Sequence, residues 1–390
     1  AVIAGVGDSK SATTEEAGEG KYDVTLVAVL VDDNGVIQDC VIDGIATSVQ
    51  FDAAGALVTD TAVAPQTKNE LGENYGMVAW GGAVAEWDKQ VAAVAKYAEG
   101  KTVAELKNGD IDMTTGKAKD GTDLSSSATI YLAGYVYAIE AAVNNAKHLG
   151  AQAGDELVLA TLNNTKSSTS ATAEKAGNAQ LDADITVLTR KDGKITSCYI
   201  DSVQAKIGFD ATGTITTDLS AGVKTKNELG EGYGMKAWGG AIAEWNEQAA
   251  AFASYVTGKT AAEVNSIETQ EAGGHQIAVD EALLSAGCSM QITDFIAAVV
   301  AGVAALIFQP HIIGAIANDC APDAAASLSF LDGYKGLSIA YYGSTAIDTG
   351  NDALNALVST RGMTGMLSTV FLIIAASCFG GVLMGSGMLQ

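Results

Sequence analysis

The stretch TKNELGENYGMVAWGGAVAEW at residues 67–87 returns almost unchanged as TKNELGEGYGMKAWGGAIAEW at residues 225–245. The copies lie 158 residues apart and contain all four tryptophans of the chain. Over the window 67–102, 26 of 36 positions are identical to those of the second copy. A period this long indicates tandem domains rather than a solenoid of short repeats.

The same offset relates other segments, so the repeat extends over two whole units. FDAAGALVTD from Phe51, for example, matches FDATGTITTD from Phe209. We therefore predict one unit over 1–150, a second over 151–300, and a different C-terminal region over 301–390.

Each unit is predicted to be an α+β domain. YDVTLVAVLV (22–31) alternates and is rich in β-branched residues, DDNG is a turn signal, and VIQDCVID (36–43) follows as the partner strand. A further strand–turn–strand is expected over 45–63. Helices are predicted at 84–98, where Trp87 and its apolar neighbours recur at helical spacing, and over Thr129–Leu149.

Charge and cysteine usage exclude several classes of function. The chain has 46 acidic and 22 basic residues, a net charge of −24 that opposes binding to nucleic acid or anionic lipid. Cys40 and Cys198 occupy equivalent positions and are predicted to be lone buried thiols on strands. No CxxC pair or Cys/His cluster occurs, so zinc and iron–sulfur sites are not indicated, and the acids of KNELGE suit calcium by oxygen count alone, without EF-hand spacing. No P-loop or Rossmann fingerprint supports an enzymatic assignment.

The strand pair, the glycine-rich middle and the closing DLSSSATIYLAGYVYAIEAAVNNA together resemble the FMN-binding domain family of exported flavoproteins. In that family, an Asp-x-x-Ser/Thr-Gly-Ala-Thr motif opens the last helix, and its threonine carries FMN through a phosphodiester installed by a flavin transferase. Asp123, Ser126, Ala128 and Thr129 match, with Ser127 in place of the usual glycine. The resemblance implies covalent FMN on Thr129, with the phosphate at a helix N-terminus.

The residues of this motif also allow a plain structural interpretation, in which DLSSSAT is a serine-rich loop with a helix N-cap. In the second unit Cys288 and Ser289 stand where Ala128 and Thr129 stand in the first, so flavin attachment is not expected there.

The tryptophans divide into two pairs. Trp87 and Trp245 lie on the predicted helix and are expected in the core. Trp80 and Trp238 lie in the glycine-rich GMxAWGGA; core packing is the expectation, and exposure with stacking on an isoalloxazine ring is the alternative.

The C-terminal region changes character. Residues 295–317 carry no charge apart from His311, and residues 366–389 carry none at all. Each stretch is long enough to span a bilayer. The predicted fold class is thus α+β: two tandem antiparallel-sheet-plus-helix repeats followed by an α-helical transmembrane pair.

YGSTAIDTGN (342–351), LVSTRGMTGML (357–367) and CFGGVL with the following GML resemble the C-terminal part of NhaC-type Na+/H+ antiporters. The resemblance implies Na+ binding where a helix breaks. The candidate ion-binding residues are Ser344, Thr345, Asp348, Thr349 and Asn351. The alternative is a solvent loop that caps a helix starting at Asp352.

The family needs many more spanning segments, so this region is expected to be transport-incompetent without the remainder of a transporter. The leading functional hypothesis is an antiporter-family fragment at the cell membrane, in contact with the lipid bilayer and carrying two extracytoplasmic repeats. One alternative is a membrane-tethered FMN electron-transfer protein. A second is a cell-surface structural or adhesion protein without cofactor.

Overall fold

The computed structural model describes residues 1–273 and 275–307, and each repeat within them is built on one long antiparallel hairpin. The sheet of the first repeat has the order β1-β2-β3. Its strands are β1 (Val2–Gly5), β2 (Gly18–Val31) and β3 (Ile37–Phe51). The remaining elements of this repeat are α1 (Lys68–Leu71), α2 (Met77–Gly81), α3 (Trp87–Ala98), α4 (Val103–Asn108), β4 (Ile111–Asp112), β5 (Lys117–Ala118), α5 (Asp123–Ser127) and α6 (Ala133–Asn145).

The second repeat has the same order of elements. Its sheet is β6-β7-β8, again antiparallel. The elements are β6 (Glu156–Asn164), β7 (Gly177–Lys191), β8 (Lys194–Phe209), α7 (Lys226–Leu229), α8 (Met235–Gly239), α9 (Trp245–Val256), α10 (Ala261–Asn265), β9 (Thr269–Ala272), β10 (His275–Ala278), α11 (Glu281–Ser285) and α12 (Thr293–Ile307). The α+β repeats with antiparallel sheets are therefore present as predicted.

The hairpin turn is set by its aspartate. Asp32 Oδ1 accepts hydrogen bonds from the N–H groups of Asn34 and Val36, both at 2.9 Å, and Gly35 takes the positive φ of 77° that the turn requires. The second predicted hairpin, over 45–63, is formed only in part: its first strand is the end of β3, and its second strand is reduced to a single antiparallel bridge between Leu57 and Phe51. β3 runs without interruption to Phe51 because β2 is long enough to pair with it throughout.

One face of each sheet carries that repeat's own helices. α3 packs on β3 and α6 packs on β2, against a core that includes Val27, Cys40 and Ile42. Cys40 and Cys198 are buried free thiols on β3 and β8, as predicted. Burial raises the pKa of each thiol to about 12.

The other faces of the two sheets share a single core. Leu26 and Ile45 from the first repeat pack in the same cluster as Leu181 and Ile207 from the second. Phe51 stacks on its own counterpart Phe209, with ring centroids 3.9 Å apart and an interplanar angle of 2°. Residues Ala1–Val303 accordingly form one compact unit.

Hydrogen bonds across this core are reciprocal. The Ala12 N–H donates to the Gly213 carbonyl at 2.8 Å, and the Ala171 N–H donates to the Gly55 carbonyl at 2.7 Å. Because each contact has an equivalent with the two repeats exchanged, the repeats are related as the halves of a two-fold dimer are.

The transmembrane pair in the predicted fold class is contradicted. Among the described residues, no helix is both long enough and apolar enough to cross a membrane. The first predicted span coincides in part with α12, where Phe295, Ala298 and Val299 are buried and Phe295 packs edge-on against Trp245, with ring centroids 5.7 Å apart. The second predicted span, 366–389, lies outside the described residues.

Candidate functional site

The repeated stretch begins with a helix cap. Thr67 Oγ1 accepts from the Glu70 N–H at 3.1 Å, and the Glu70 carboxylate accepts from the Thr67 N–H at 2.8 Å, which makes a capping box for α1. Lys68 is buried, and its Nζ lies 5.1 Å from the centroid of the Trp87 ring. The TKNE sequence is thus accounted for by local structure.

A buried carboxylate lies beneath the same helix. Asp43 Oδ1 accepts from the N–H groups of Gly44 and Asn69, at 2.7 and 3.1 Å. Burial raises the pKa of this carboxyl to about 6, against the lowering effect of these hydrogen bonds. Burial likewise raises the pKa of Asp201, its equivalent in the second repeat.

A short protrusion follows, which we call the tryptophan knob: residues 76–85 in the first repeat and 234–243 in the second. Gly76 has a φ of 81°, and a Cβ there would lie 2.2 Å from Cδ1 of Trp80. The indole therefore lies directly against the glycine backbone, and only glycine fits.

The knob is held from below by Glu86. Its carboxylate is buried and accepts from the N–H groups of Met77 and Val78, at 2.7 and 3.0 Å. Glu244 holds the second knob in the same way, at 2.8 and 3.1 Å. These donors are the free N–H groups at the start of α2 and α8, so an anionic partner is favoured there.

The tryptophan pairs separate sharply in exposure. Trp87 and Trp245 are 4% and 5% exposed, which confirms the core prediction for them. Trp80 and Trp238 are each 90% exposed, so the expected core packing of this pair is wrong. Two glycines follow each exposed tryptophan and end the short helix that carries it. The next helix starts only at Trp87 or Trp245, so the exposed tryptophan is not on the face that this helix packs against the core.

Thr129, the predicted flavin attachment residue, lies in an extended segment before α6. Its N–H donates to Gln90 Oε1 at 2.7 Å and its hydroxyl to the same oxygen at 3.3 Å, while the Ile130 N–H donates there at 3.2 Å. Ser126 Oγ donates to the backbone carbonyl of Asp123 at 2.8 Å. Asp123 is the first residue of α5, capped by Thr122.

This arrangement does not fit the phosphate site that the resemblance implies. The N–H groups of Thr129 and Ile130 already donate to Gln90, and α6 begins only at Ala133, four residues beyond Thr129. Thr129 as a whole is exposed, but its hydroxyl is directed to the buried Gln90. FMN on Thr129 therefore stays a prediction from the resemblance, with no further support from the local geometry.

The second repeat repeats this contact with a different hydroxyl. Gln248 Oε1 accepts from the N–H groups of Ser289 and Met290, both at 2.9 Å. Cys288 is fully buried at the place of Ala128, as the alignment predicts. Gln90 and Gln248 make the same backbone contacts although the residue they hold is threonine in one repeat and serine in the other. The observed role of this glutamine is therefore to hold the turn before the last helix of each repeat.

Thr129 and Trp80, two of the predicted site residues, are held in place by side chains at the start of the same helix, α3. Gln90, which holds Thr129, and Glu86, which holds the helix bearing Trp80, lie one turn apart at the start of α3. The transport candidates Ser344, Thr345, Asp348, Thr349 and Asn351 lie outside the described residues. Within the described part of the chain, no cluster of histidine, cysteine and acidic residues is placed to hold a metal ion.

The sequence interpretation missed Glu86, Gln90 and their counterparts. A signal for them exists: Gln90 is identical in both copies although positions 88, 89 and 91 around it differ. In comparisons with known families, curated proteins and solved structures, the chain has no match.

Proposed function

We propose that the two repeats form a cofactor-free recognition module that acts outside the cytoplasm, with Trp80 and Trp238 as its ligand contacts. This is the adhesion-class hypothesis of the sequence analysis. The extracytoplasmic placement rests on the resemblance of the repeats to exported domains.

The observation that carries the proposal is the 90% exposure of both tryptophans, each on a short helix held by a buried glutamate in the same way. Large aromatic side chains usually bury most of their surface, so an exposed pair calls for a partner. Tryptophan is also the side chain most enriched among residues that dominate binding energy.

The contacts that hold Trp80 in one orientation favour a role in recognition over that of a flexible surface loop. Gly76 packs against the Trp80 indole, and Glu86 fixes the helix that carries it. A side chain ordered before binding loses less conformational entropy on contact with a ligand. Thr67 and Glu70 within the repeated stretch, and Gln90 just after it, are engaged in internal hydrogen bonds.

The proposal is tested by binding of the full chain to an array of polysaccharides, peptidoglycan fragments, lipids and extracellular proteins. We expect binding to at least one class, weakened about 30-fold or more in W80A/W238A, because a tryptophan hot spot contributes about 2 kcal/mol or more. V58A/V63A, which alters exposed apolar residues elsewhere, is the matched control.

Three results would overturn it. The first is binding that does not depend on the tryptophans, and the second is no binding at all. The third is a yellow protein whose flavin fluorescence survives denaturation after co-expression with a flavin transferase, since that would establish a covalently bound flavin. The transport hypothesis concerns residues outside the described part and stays a separate prediction.

A further inference from the structure

The surface of the tryptophan knob is almost wholly apolar. Residues 76–85 contain no side chain with a hydrogen-bonding group except the Trp80 indole. Val78, Trp80 and Val84 are 46%, 90% and 63% exposed. In the second repeat Trp238 and Ile242 are 90% and 68% exposed.

Several backbone N–H groups of the first knob are paired internally. The N–H groups of Met77 and Val78 donate to Glu86, and the Trp80 N–H donates to the Gly76 carbonyl at 2.9 Å. The Gly82 N–H donates to the Val78 carbonyl at 3.1 Å. Transfer of this protrusion to a medium of low polarity therefore leaves few donors unsatisfied, which is the condition that lipid imposes on any inserted backbone.

Charge and chemistry select among possible partners. Sugars and extended peptides are recognised through several hydrogen-bonding side chains, whereas the first knob offers only the Trp80 indole and the second only the Trp238 indole and Lys236. A net charge of −24 opposes an anionic surface and also a second copy of this chain. Zwitterionic lipid presents an outermost ammonium group, which suits the exposed carboxylate of Glu73, three residues before the first knob.

We infer that the tryptophan knobs insert into the interfacial layer of zwitterionic lipid, with the indole at headgroup depth and the exposed Val84 or Ile242 contributing to the apolar contact. Tryptophan favours this layer because its ring is apolar and its N–H is polar. This inference rests on the proposed recognition function and names its ligand. The first knob inserts more deeply, because Val78 is replaced by Lys236 in the second.

The experiment uses the fluorescence of the full chain, in which all tryptophans belong to the repeats. Phosphatidylcholine vesicles with brominated acyl chains quench only indoles that reach the lipid. We expect quenching and a blue shift for the wild type, and loss of both in W80F/W238F, whose remaining Trp87 and Trp245 are buried. Because residues 308–390 contain no tryptophan, any lipid contact made there does not contribute to this signal.

Single variants and lipid charge sharpen the test. W80F should remove more of the quenching than W238F, V63A should leave it unchanged, and phosphatidylglycerol vesicles should quench less than phosphatidylcholine. Absence of quenching in the wild type, equal quenching in W80F/W238F, or stronger quenching by phosphatidylglycerol overturns the inference. If phosphatidylcholine fails but the array shows another tryptophan-dependent ligand, the recognition function stands and only its lipid ligand is rejected.

Discussion

Gln90 joins three segments of the first repeat through one side chain. Its Oε1 accepts from Thr129 and Ile130, and its Nε2 donates to the Ala85 carbonyl at 2.8 Å. The side chain is fully buried, so water does not replace these contacts when they are removed. The turn before α6 and the end of the knob therefore depend on the same residue.

Replacement of this glutamine should destabilise the protein. We expect Q90A to lower the free energy of unfolding by about 2–3 kcal/mol, because it leaves two N–H groups and a carbonyl without their partner. Urea denaturation measures the change. Q50A, at an exposed position on β3, is the control and should shift stability by less than about 0.5 kcal/mol. A Q90A protein as stable as the control would show that the turn holds without this contact.

Asp43 should give the protein an unusual pH dependence. Its folded pKa of about 6 lies above the ordinary value of 3.8, so the folded state binds the proton more tightly than the unfolded state. The contribution of this group to stability is therefore complete below pH 4 and is lost as pH rises to about 6. The asparagine in D43N can accept the same two N–H hydrogen bonds and does not titrate.

We expect the stability of D43N relative to the wild type to increase between pH 4 and pH 6, by up to about 3 kcal/mol, and to be constant above pH 7. Chemical denaturation at several pH values measures this difference. D52N, whose carboxylate is in a surface turn, is the control. A difference independent of pH would contradict the raised pKa.

For individual residues, the sequence predicts burial where apolar side chains recur at a regular helical or strand spacing. Trp87 has Val91, Val94 and Ala98 along one helical face, and its burial follows from that pattern. Trp80 is followed by two glycines, which break the period, so no pattern indicates its environment. Gln90 lies three residues after Trp87 and four before Val94, on the same helical face, but no pattern indicates that its polar partners are in the distant segment 129–130.

At the scale of elements, α2 depends on a carboxylate that is not part of it. A helix of this length satisfies few of its own N–H groups, and Glu86 supplies the acceptor for two of them. The knob thus keeps its shape through a contact with the start of α3.

Removal of this acceptor should loosen the knob alone. We expect E86A to accelerate hydrogen exchange at the amides of Met77 and Val78 by about tenfold or more, since a hydrogen bond to a charged group contributes about 1.5–3 kcal/mol. E73A, at an exposed position beside the knob, should leave both amides unchanged. Amides of β2 serve as the internal reference for global unfolding. Equal exchange in E86A and E73A would contradict the capping role.

The elements that the sequence mispredicts share one cause. Apolar residues in α12 fit a membrane span and a buried helix equally well. What decides between them is the packing of Phe295 against Trp245, a tertiary contact that the local sequence does not show. Likewise, residues 45–51 belong to β3 and not to a separate hairpin, because β2 lies beside β3 along its whole length. Local pattern does not contain either partner.

At the scale of the whole molecule, the repeats are halves of one structure. Their sheets share the core around Phe51 and Phe209, while each keeps its own helices on the opposite face. Sequence periodicity reveals that there are two copies. Two copies packed against each other and two copies separated by a linker would give the same periodicity. The pairing is visible only in the contacts.

The shared core predicts that the halves stay together when the chain is cut. Residues 146–153 lie between α6 and β6 and are mostly exposed, so a protease site inserted there is accessible. After cleavage we expect one species by size-exclusion chromatography under native conditions, and two after denaturation. The same cut with F51A/F209A should give partial separation, because the central stack is lost. Separation of the cut but otherwise unaltered chain in native buffer would contradict the shared core.

The stacking of Phe51 on Phe209 also has a consequence for biosynthesis. Phe51 is made 158 residues before its partner, which at about 5–20 residues per second is a delay of roughly 8–30 s. During that interval the inner face of the first sheet has no intramolecular cover. On a crowded polysome, the nearest surface of matching shape is the same face of a neighbouring nascent chain, and pairing there would yield exchanged dimers. Translation speed through the second repeat is therefore a determinant of how much monomer the cell obtains.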